Sequence, residues 1–148
     1  MLYTSQTRHI HMPQLPELDQ PHFNEVDAAR QYLECLRWGS RLVCPHCAAV
    51  EGHYRLRGKS HRAGLWKCHA CRAQFTVTVG TVFECSKVPL NLWLQAIYLL
   101  CSSGNVVSAR DLQRAVGVTY KTAWFMALCI RRAARSRRSS RRLSLRGA

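Results

Sequence analysis

Acidic side chains are scarce in this chain of 148 residues. It has 8 Asp and Glu against 22 Lys and Arg, so its formal net charge is +14. A surplus of this size repels itself unless a polyanion neutralises it, so the composition favours a nucleic acid as partner. A merely soluble basic surface is the alternative, and it gives no reason for so large an excess.

Long hydrophobic segments are missing as well. The most apolar run, residues 88–101, is interrupted by Asn91 and Gln95 and is shorter than the roughly 20 residues that a transmembrane helix needs. Proline, histidine and charged residues interrupt the first thirty positions, so we find no core of a signal peptide. We therefore expect no membrane partner and a reducing, cytoplasmic location, where the 8 cysteines serve metal binding rather than disulfides.

Four of these cysteines have the spacing of a metal site. Cys44 and Cys47 form one Cys-x-x-Cys pair, and Cys68 and Cys71 form a second pair further along the chain. This spacing is typical of a four-cysteine zinc site, and four thiolates complete the tetrahedral shell of one structural Zn²⁺. An iron–sulfur cluster would use the same ligands. Thioredoxin-like redox chemistry would need a βαβ context, which the short strands expected here do not provide.

Other candidate ligands are weaker. His46 and His69 lie inside the two Cys-x-x-Cys turns and could replace a sulfur, although four cysteines already fill the shell. The remaining cysteines have no paired spacing and are interpreted as small buried hydrophobic residues. They are Cys35, Cys85, Cys101 and Cys129.

The hydrophobic pattern predicts an α+β protein in five parts, with a small β-hairpin zinc ribbon followed by a three-helix, helix-turn-helix-like bundle. The parts are a disordered arm (1–22), a helix (23–40), the ribbon (41–81), the helical domain (82–135) and a disordered basic tail (136–148). Asn24 is the expected N-cap of the first helix, and Gly39 is its expected end.

The second half has the layout of a helix-turn-helix motif. Ser108 is a suitable N-cap for a short helix, Gly117 allows a tight turn, and Thr119 caps the helix that follows. In this motif the amino-terminal residues of the second helix enter the major groove. The candidate DNA contacts in this half are Thr119, Tyr120, Lys121, Thr122, Arg131 and Arg132. Any αα-hairpin would show the same apolar spacing, so the pattern alone does not establish DNA binding.

Basic residues recur in two further places. Arg55, Arg57, Lys59 and Arg62 lie between the cysteine pairs and are candidate phosphate contacts. The arginines from Arg131 to Arg146 could lie along a phosphate backbone, but a solvated tail of low complexity is an equal alternative.

The second helix of the pair is apolar on nearly all sides. Trp124, Phe125, Met126 and Leu128 exceed what one core-facing stripe requires. We expect the helix at 88–101 to cover the additional face, with a dimer interface as the alternative.

The segments "CPHC", "WKCHACRAQFTVTVGTVFECSKVPLNLWLQAIYLL" and "SARDLQRAVGVTYKTAWFMALCIRRA" resemble the N-terminal region of bacterial insertion-sequence transposases of the IS1595 type, also called ISXO2-like. The resemblance covers residues 23–134. It implies a zinc ribbon with Cys44, Cys47, Cys68 and Cys71 as ligands, followed by a helix-turn-helix whose last helix begins at residues 119–124. The implied function is recognition of the terminal inverted repeats of the element, in double-stranded DNA at the bacterial nucleoid.

The resemblance also implies a catalytic domain that this sequence does not contain. Transposases of this type continue into a ribonuclease H-like domain whose carboxylates hold two metal ions, whereas Asp111 is the one acid after Glu84. We therefore expect no catalytic residues and no enzymatic activity, as in a truncated copy or a fragment, with intact transposase or a second copy as further candidate partners. The alternatives are a stand-alone transcriptional regulator and an RNA- or protein-binding zinc ribbon.

Overall fold

The computed structural model describes residues 16–103 and 107–144. A 3₁₀ turn (Pro16–Asp19) is followed by α1 (Pro21–Asn24), α2 (Val26–Trp38), β1 (His53–Arg55), β2 (Trp66–Cys68), β3 (Gln74–Phe75), α3 (Leu90–Ser102), α4 (Ala109–Val116) and α5 (Tyr120–Ser144). The predicted α+β class, with a small sheet followed by helices, is confirmed.

The amino-terminal segment corrects two expectations. Residues 16–22 belong to the 3₁₀ turn and α1 and do not form an extended arm, because proline at the first turn of a helix has a suitable φ and lacks no hydrogen bond there. Residues 1–15, the rest of the predicted arm, lie outside the described part. Asn24 ends α1 and does not cap α2: its side chain donates to the carbonyl of Leu18 at 3.0 Å. Glu25 is extended and occupies the N-cap position of α2.

The three strands form one antiparallel sheet in the order β1-β2-β3. His53 is paired with Cys68, and Trp66 is paired with both Arg55 and Phe75. The sheet is smaller than the β-branched pattern predicts, since residues 41–44 are a loop and residues 76–81 turn away from it. Threonine side chains explain the second difference: the Thr76 and Thr78 hydroxyls are 2.8 Å apart, and the Thr81 hydroxyl donates to the carbonyl of Thr78. Such local bonds compete with a strand ladder.

Helix α2 packs against both the sheet and α3. Its Ala29 and Leu33 join Leu94 of α3 in one hydrophobic cluster. On a neighbouring side of α2, the Trp38 ring packs edge-on against the rings of Trp66 and Phe75, at centroid distances of 6.4 and 5.9 Å. The sheet and the helical half are therefore both fixed to the same helix.

Helices α3, α4 and α5 share the main hydrophobic core, in which Trp93, Leu112 and Met126 are fully buried. Ser108 caps α4 as predicted and forms a capping box with Asp111. The two remaining signals are also confirmed: Gly117 ends α4 in the left-handed conformation, and the Thr119 hydroxyl accepts the Thr122 backbone N–H at 3.3 Å. The sequence therefore specifies this turn locally.

Helix α5 corrects the prediction of a disordered tail from residue 136, because its backbone stays helical to Ser144. No glycine or proline occurs between Gly117 and Ser144 to stop it, and arginine is a good helix former. Residues 145–148 lie outside the described part. No helix in the described ranges is long and apolar enough to cross a membrane.

Candidate metal centre and nucleic-acid interface

The two Cys-x-x-Cys turns have almost the same backbone conformation. In the first turn the Cys44 N–H donates to the Ala49 carbonyl at 2.9 Å, and in the second the Cys68 N–H donates to the Ala73 carbonyl at 3.0 Å. The residue after each pair is left-handed, with φ of 58° at Ala48 and 61° at Arg72. A turn of this kind directs both of its cysteine sulfurs to one side.

The four sulfur atoms come together between these turns. The Sγ atoms of Cys44, Cys47, Cys68 and Cys71 all lie within 4.8 Å of one another. The Cys44–Cys71 distance is 3.7 Å and the Cys47–Cys68 distance is 3.6 Å. Four sulfurs about 2.3 Å from a tetrahedral zinc ion lie about 3.8 Å apart, so the cluster has the dimensions of a site for one Zn²⁺.

Backbone hydrogen bonds act on the pKa of two of these thiols, Cys47 and Cys68. Hydrogen bonding from the Cys71 backbone is the largest influence on Cys68, whose pKa is lowered to about 6 despite its burial. The Ala49 backbone lowers the pKa of Cys47, but the neighbouring thiols together with desolvation raise it to about 12. Zinc binds the thiolate form, and the backbone hydrogen bonds to Cys68 stabilise its thiolate.

The four cysteines form a structural metal site rather than a catalytic one. Cys44 and Cys68 are buried with Phe75, while Cys47 and Cys71 lie at the surface. Four cysteines leave no open coordination position for water or substrate. Neither His46 nor His69 belongs to the cluster.

A third histidine supports the cluster, and the sequence reasoning gave it no role. His53 of β1 bonds through Nε2 to the Ala49 carbonyl at 2.9 Å and packs edge-on against Phe75 at 5.8 Å. Since Ala49 also accepts the Cys44 N–H, His53 fixes the first Cys-x-x-Cys turn to the sheet. The pairing depends on the register of β1, which the sequence alone does not reveal.

The helix-turn-helix residues predicted to contact DNA fall into two groups. Thr119, Tyr120, Lys121 and Arg132 are exposed, and Thr122 is partly exposed. Arg131, by contrast, is partly buried and donates to the Val107 carbonyl at 2.8 Å. Its guanidinium therefore holds the segment before α4, which sets it apart from the other five.

The basic residues of the ribbon divide in a similar way. Arg57, Lys59 and Arg62 are exposed on the loop between β1 and β2. The Arg55 guanidinium lies over the ring of Trp66 at 5.5 Å and is 3.9 Å from the carboxylate of Glu34. Arg55 is thus occupied within the protein, while the other three are available to a partner.

One pair of exposed basic residues was not predicted from the sequence. Arg110 and Arg114 are exposed one turn apart on α4, opposite its buried Leu112 and Val116, and helical spacing could have identified them.

The expectation that α3 covers the additional apolar face of α5 is wrong. Met126 is buried, but Trp124, Phe125 and Leu128 remain 53%, 52% and 49% exposed, because α3 and α4 pack against the opposite side.

A closed four-cysteine site on a three-stranded sheet defines a zinc ribbon. Residues 25–74 match the family described as the transposase zinc-ribbon domain, so the predicted resemblance to transposases is confirmed over this part of the chain. The chain is also 32% identical over 100 residues to an uncharacterized protein in transposable element ISH50 of Halobacterium salinarum. That match covers 65% of this chain and 31% of the relative, so the aligned region spans about a third of the relative's length. No solved structure matches.

Proposed function

We propose that this chain binds duplex DNA as the recognition part of an insertion-sequence transposase, and that its targets are the terminal inverted repeats of the element. The observation that carries the proposal is the α4–Gly117–α5 turn, which leaves the amino end of α5 exposed at Thr119, Tyr120 and Lys121. The net charge of +14 and the match to a transposase zinc ribbon support the same conclusion.

In this proposal α5 is the recognition helix. Its amino-terminal residues enter the major groove, where Lys121 donates to base edges and the hydroxyls of Thr119 and Tyr120 reach bases or phosphates. Arg110 and Arg114 lie on the preceding helix, which crosses the phosphate backbone in such motifs. These two arginines therefore position the motif without reading sequence.

The zinc ribbon supplies a second contact in this proposal. Its exposed loop carries Arg57, Lys59 and Arg62, which suit phosphate contacts on a neighbouring part of the duplex. Cys68 ends β2, and together with Cys71, Cys44 and Cys47 it would hold the zinc ion, so a bound ion would join the end of β2 to the first Cys-x-x-Cys turn. Its role is therefore to fix the direction of the loop relative to α2.

We further propose that the chain does not cleave DNA by itself. Metal-dependent strand transfer needs several carboxylates close together, and Asp111, the one acid after Glu84, is bonded to Ser108 in the capping box. A chain that binds the repeats without cutting them would compete with intact transposase. Co-expression should then lower transposition of a marked element, and an unchanged transposition frequency would contradict this part of the proposal.

The test of binding is selection of duplexes from a random library at about physiological salt, with and without a zinc chelator, since contacts to phosphate alone weaken steeply with salt. We expect one zinc-dependent motif that matches the repeats flanking the gene. Recovery of all sequences equally would reject specific recognition. A motif found at promoters would favour a regulator, and a preference for single strands would favour an RNA-binding ribbon.

Two lysine variants separate the proposed roles. Lys121→Ala should relax the preference at one or two positions, by about 1–3 kcal/mol each. Lys59→Ala should weaken all duplexes alike and reduce the salt dependence by about one phosphate contact. Uniform weakening by Lys121→Ala would assign that residue to the phosphate backbone.

A further inference from the structure

The exposed side of α5 carries an apolar stripe. Tyr120, Trp124 and Leu128 are spaced by four residues, with Phe125 beside them, and each is between 49% and 53% exposed. Side chains at this spacing lie on the same side of a helix, so these four residues form a continuous surface about two turns long. We refer to them as the aromatic stripe. Contiguous exposed apolar groups of this size mark interaction sites.

The charges around the aromatic stripe identify the kind of partner. Lys121, Arg132 and Arg135 are exposed on the same side of α5, and the helix contains no acidic residue. A second copy of the chain would place these cations against their equivalents, which disfavours self-association through this face. A polyanion that also presents apolar groups matches both features.

The major groove of DNA has this combination of properties. Its phosphates attract the cations, and among the groups that base pairs present there the thymine C5-methyl is the apolar one. The stripe begins at the amino end of α5, which the proposed function places in this groove. Trp124, Phe125 and Leu128 lie one to two turns further along, where they face the base pairs that follow those next to Lys121.

We propose that Trp124, Phe125 and Leu128 read thymine methyl groups, so that thymines at fixed positions define the binding site. This inference rests on the proposed function and adds the chemical group that is recognised. Aromatic and aliphatic side chains exclude water from the methyl, and the wrong base leaves a polar edge against an apolar side chain.

The test replaces each thymine of the selected duplex with deoxyuridine, one position at a time, and measures binding of the full zinc-loaded chain by fluorescence anisotropy. This change removes one methyl group and leaves base pairing intact. We expect affinity to fall about three- to fivefold at the contacted positions, which corresponds to one methyl returned to water, and to stay unchanged at the others.

Substitutions in the protein then identify which side chain contacts which thymine of the duplex. Trp124→Ala and Phe125→Ala should each lower affinity for the thymine duplex and abolish the effect of deoxyuridine at one position. The matched control is Leu36→Ala, which truncates an apolar side chain that is 66% exposed on α2, and it should keep the full effect. Because the substituted residues are exposed, melting temperatures should stay close to that of the unsubstituted chain.

Three results would overturn the inference. Sequence-selective binding that tolerates deoxyuridine at every position would reject methyl reading while the proposed function remains. Conversion of a dimer into a monomer by Trp124→Ala, measured by sedimentation, would assign the stripe to self-association. Absence of any preferred duplex would remove the proposed function together with the inference.

Discussion

Arg37 of α2 donates a hydrogen bond of 2.7 Å to the backbone carbonyl of Val77, 40 residues further along the chain. The same guanidinium nitrogen donates to the Val79 carbonyl at 2.6 Å. These bonds hold the segment that leaves the sheet against the end of α2. They therefore connect the zinc ribbon to the helix that also packs on α3.

Removal of this guanidinium should loosen the connection. We expect Arg37→Ala to lower the free energy of unfolding of the zinc-loaded chain by about 1–2 kcal/mol, since a hydrogen bond from a charged group contributes more than a neutral one. Urea denaturation measures the change. Arg41→Ala is the matched control, because Arg41 is exposed and its side chain makes no hydrogen bond or ion pair in the described structure. An equal loss in both variants would show that the Arg37 bonds contribute nothing specific.

Zinc removal should unfold one half of the protein and spare the other. The buried cluster of the ribbon consists of Cys44, Cys68 and Phe75, two of which are zinc ligands, whereas α3–α5 have a larger core of their own. Structural zinc contributes about 10–16 kcal/mol in zinc-finger peptides, so a chelator or Cys68→Ser should abolish hydrogen-exchange protection in 41–81 and preserve it in α4 and α5. Cys85→Ser, an exposed cysteine outside the cluster, should change neither. Unaltered protection after chelation would reject the structural zinc site.

Gly64 should not tolerate a side chain. Its φ is +75°, and an added Cβ would lie 2.4 Å from Cδ of Arg30 and 3.1 Å from the carboxylate of Glu34. Since Arg30 is held at 3.0–3.1 Å by carboxylates of α2, it cannot move away without losing an ion pair. We expect Gly64→Ala to destabilise the chain by about 2–3 kcal/mol in thermal or urea unfolding.

The control for this substitution is Gly117→Ala. Gly117 has a similar φ of +73° but nothing within 4 Å of an added Cβ. Gly117→Ala should therefore lower the free energy of unfolding only by the strain of the left-handed backbone, about 1 kcal/mol. If the two variants lose the same stability, the contact with Arg30 has no energetic effect.

The capping box of α4 should make the helical half sensitive to acid. The Ser108 hydroxyl and backbone N–H donate to Asp111, and these bonds lower the carboxyl pKa below its ordinary value of 3.8. A lowered pKa means that the stabilisation is complete above the unfolded-state pKa and disappears as pH falls through the folded-state value. The stability difference between the unsubstituted chain and Asp111→Asn, measured zinc-free by urea unfolding, should therefore shrink below about pH 4.

A substitution of the other partner checks the same bonds at neutral pH. Ser108→Ala removes the hydroxyl that caps Asp111 N–H at 3.2 Å and should cost about 1 kcal/mol. Ser103→Ala is the control, since Ser103 follows α3 and its backbone N–H, which the substitution keeps, donates to the Leu99 carbonyl. If the stability difference between the unsubstituted chain and Asp111→Asn persists unchanged down to pH 2, Asp111 does not act as a carboxylate in the cap.

Features that depend on residues close in sequence could be predicted. The spacing of Cys44, Cys47, Cys68 and Cys71 restricts the four sulfurs to a common centre once each pair forms a turn. Ser108 and Gly117 act within a few residues of themselves, so their roles follow from side-chain chemistry. The small sheet was also expected, although its strands are shorter because threonine hydroxyls offer residues 76–81 another arrangement.

Features that depend on tertiary packing could not be predicted. The chain has many arginines, and nothing local distinguishes Arg37, whose acceptors are 40 and 42 residues away, from an exposed one. Likewise, periodicity shows that Trp124 and Phe125 are apolar but not which side of α5 meets its neighbours. Their exposure follows from how α3 and α4 pack, and it is this exposure that suggests a role in recognition.

The near-identity of the two Cys-x-x-Cys turns has a consequence for the order of assembly. Each turn closes within six consecutive residues, from Cys44 to Ala49 and from Cys68 to Ala73, and so needs no distant contact to form. One pair can therefore take up the ion before the strands pair, and the cost of closing the intervening loop grows only slowly with its length. We therefore expect the unfolded chain to take up zinc in two kinetic steps. One Cys-x-x-Cys pair binds the ion in the faster step, and the other pair binds it in the slower step, after the sheet has formed.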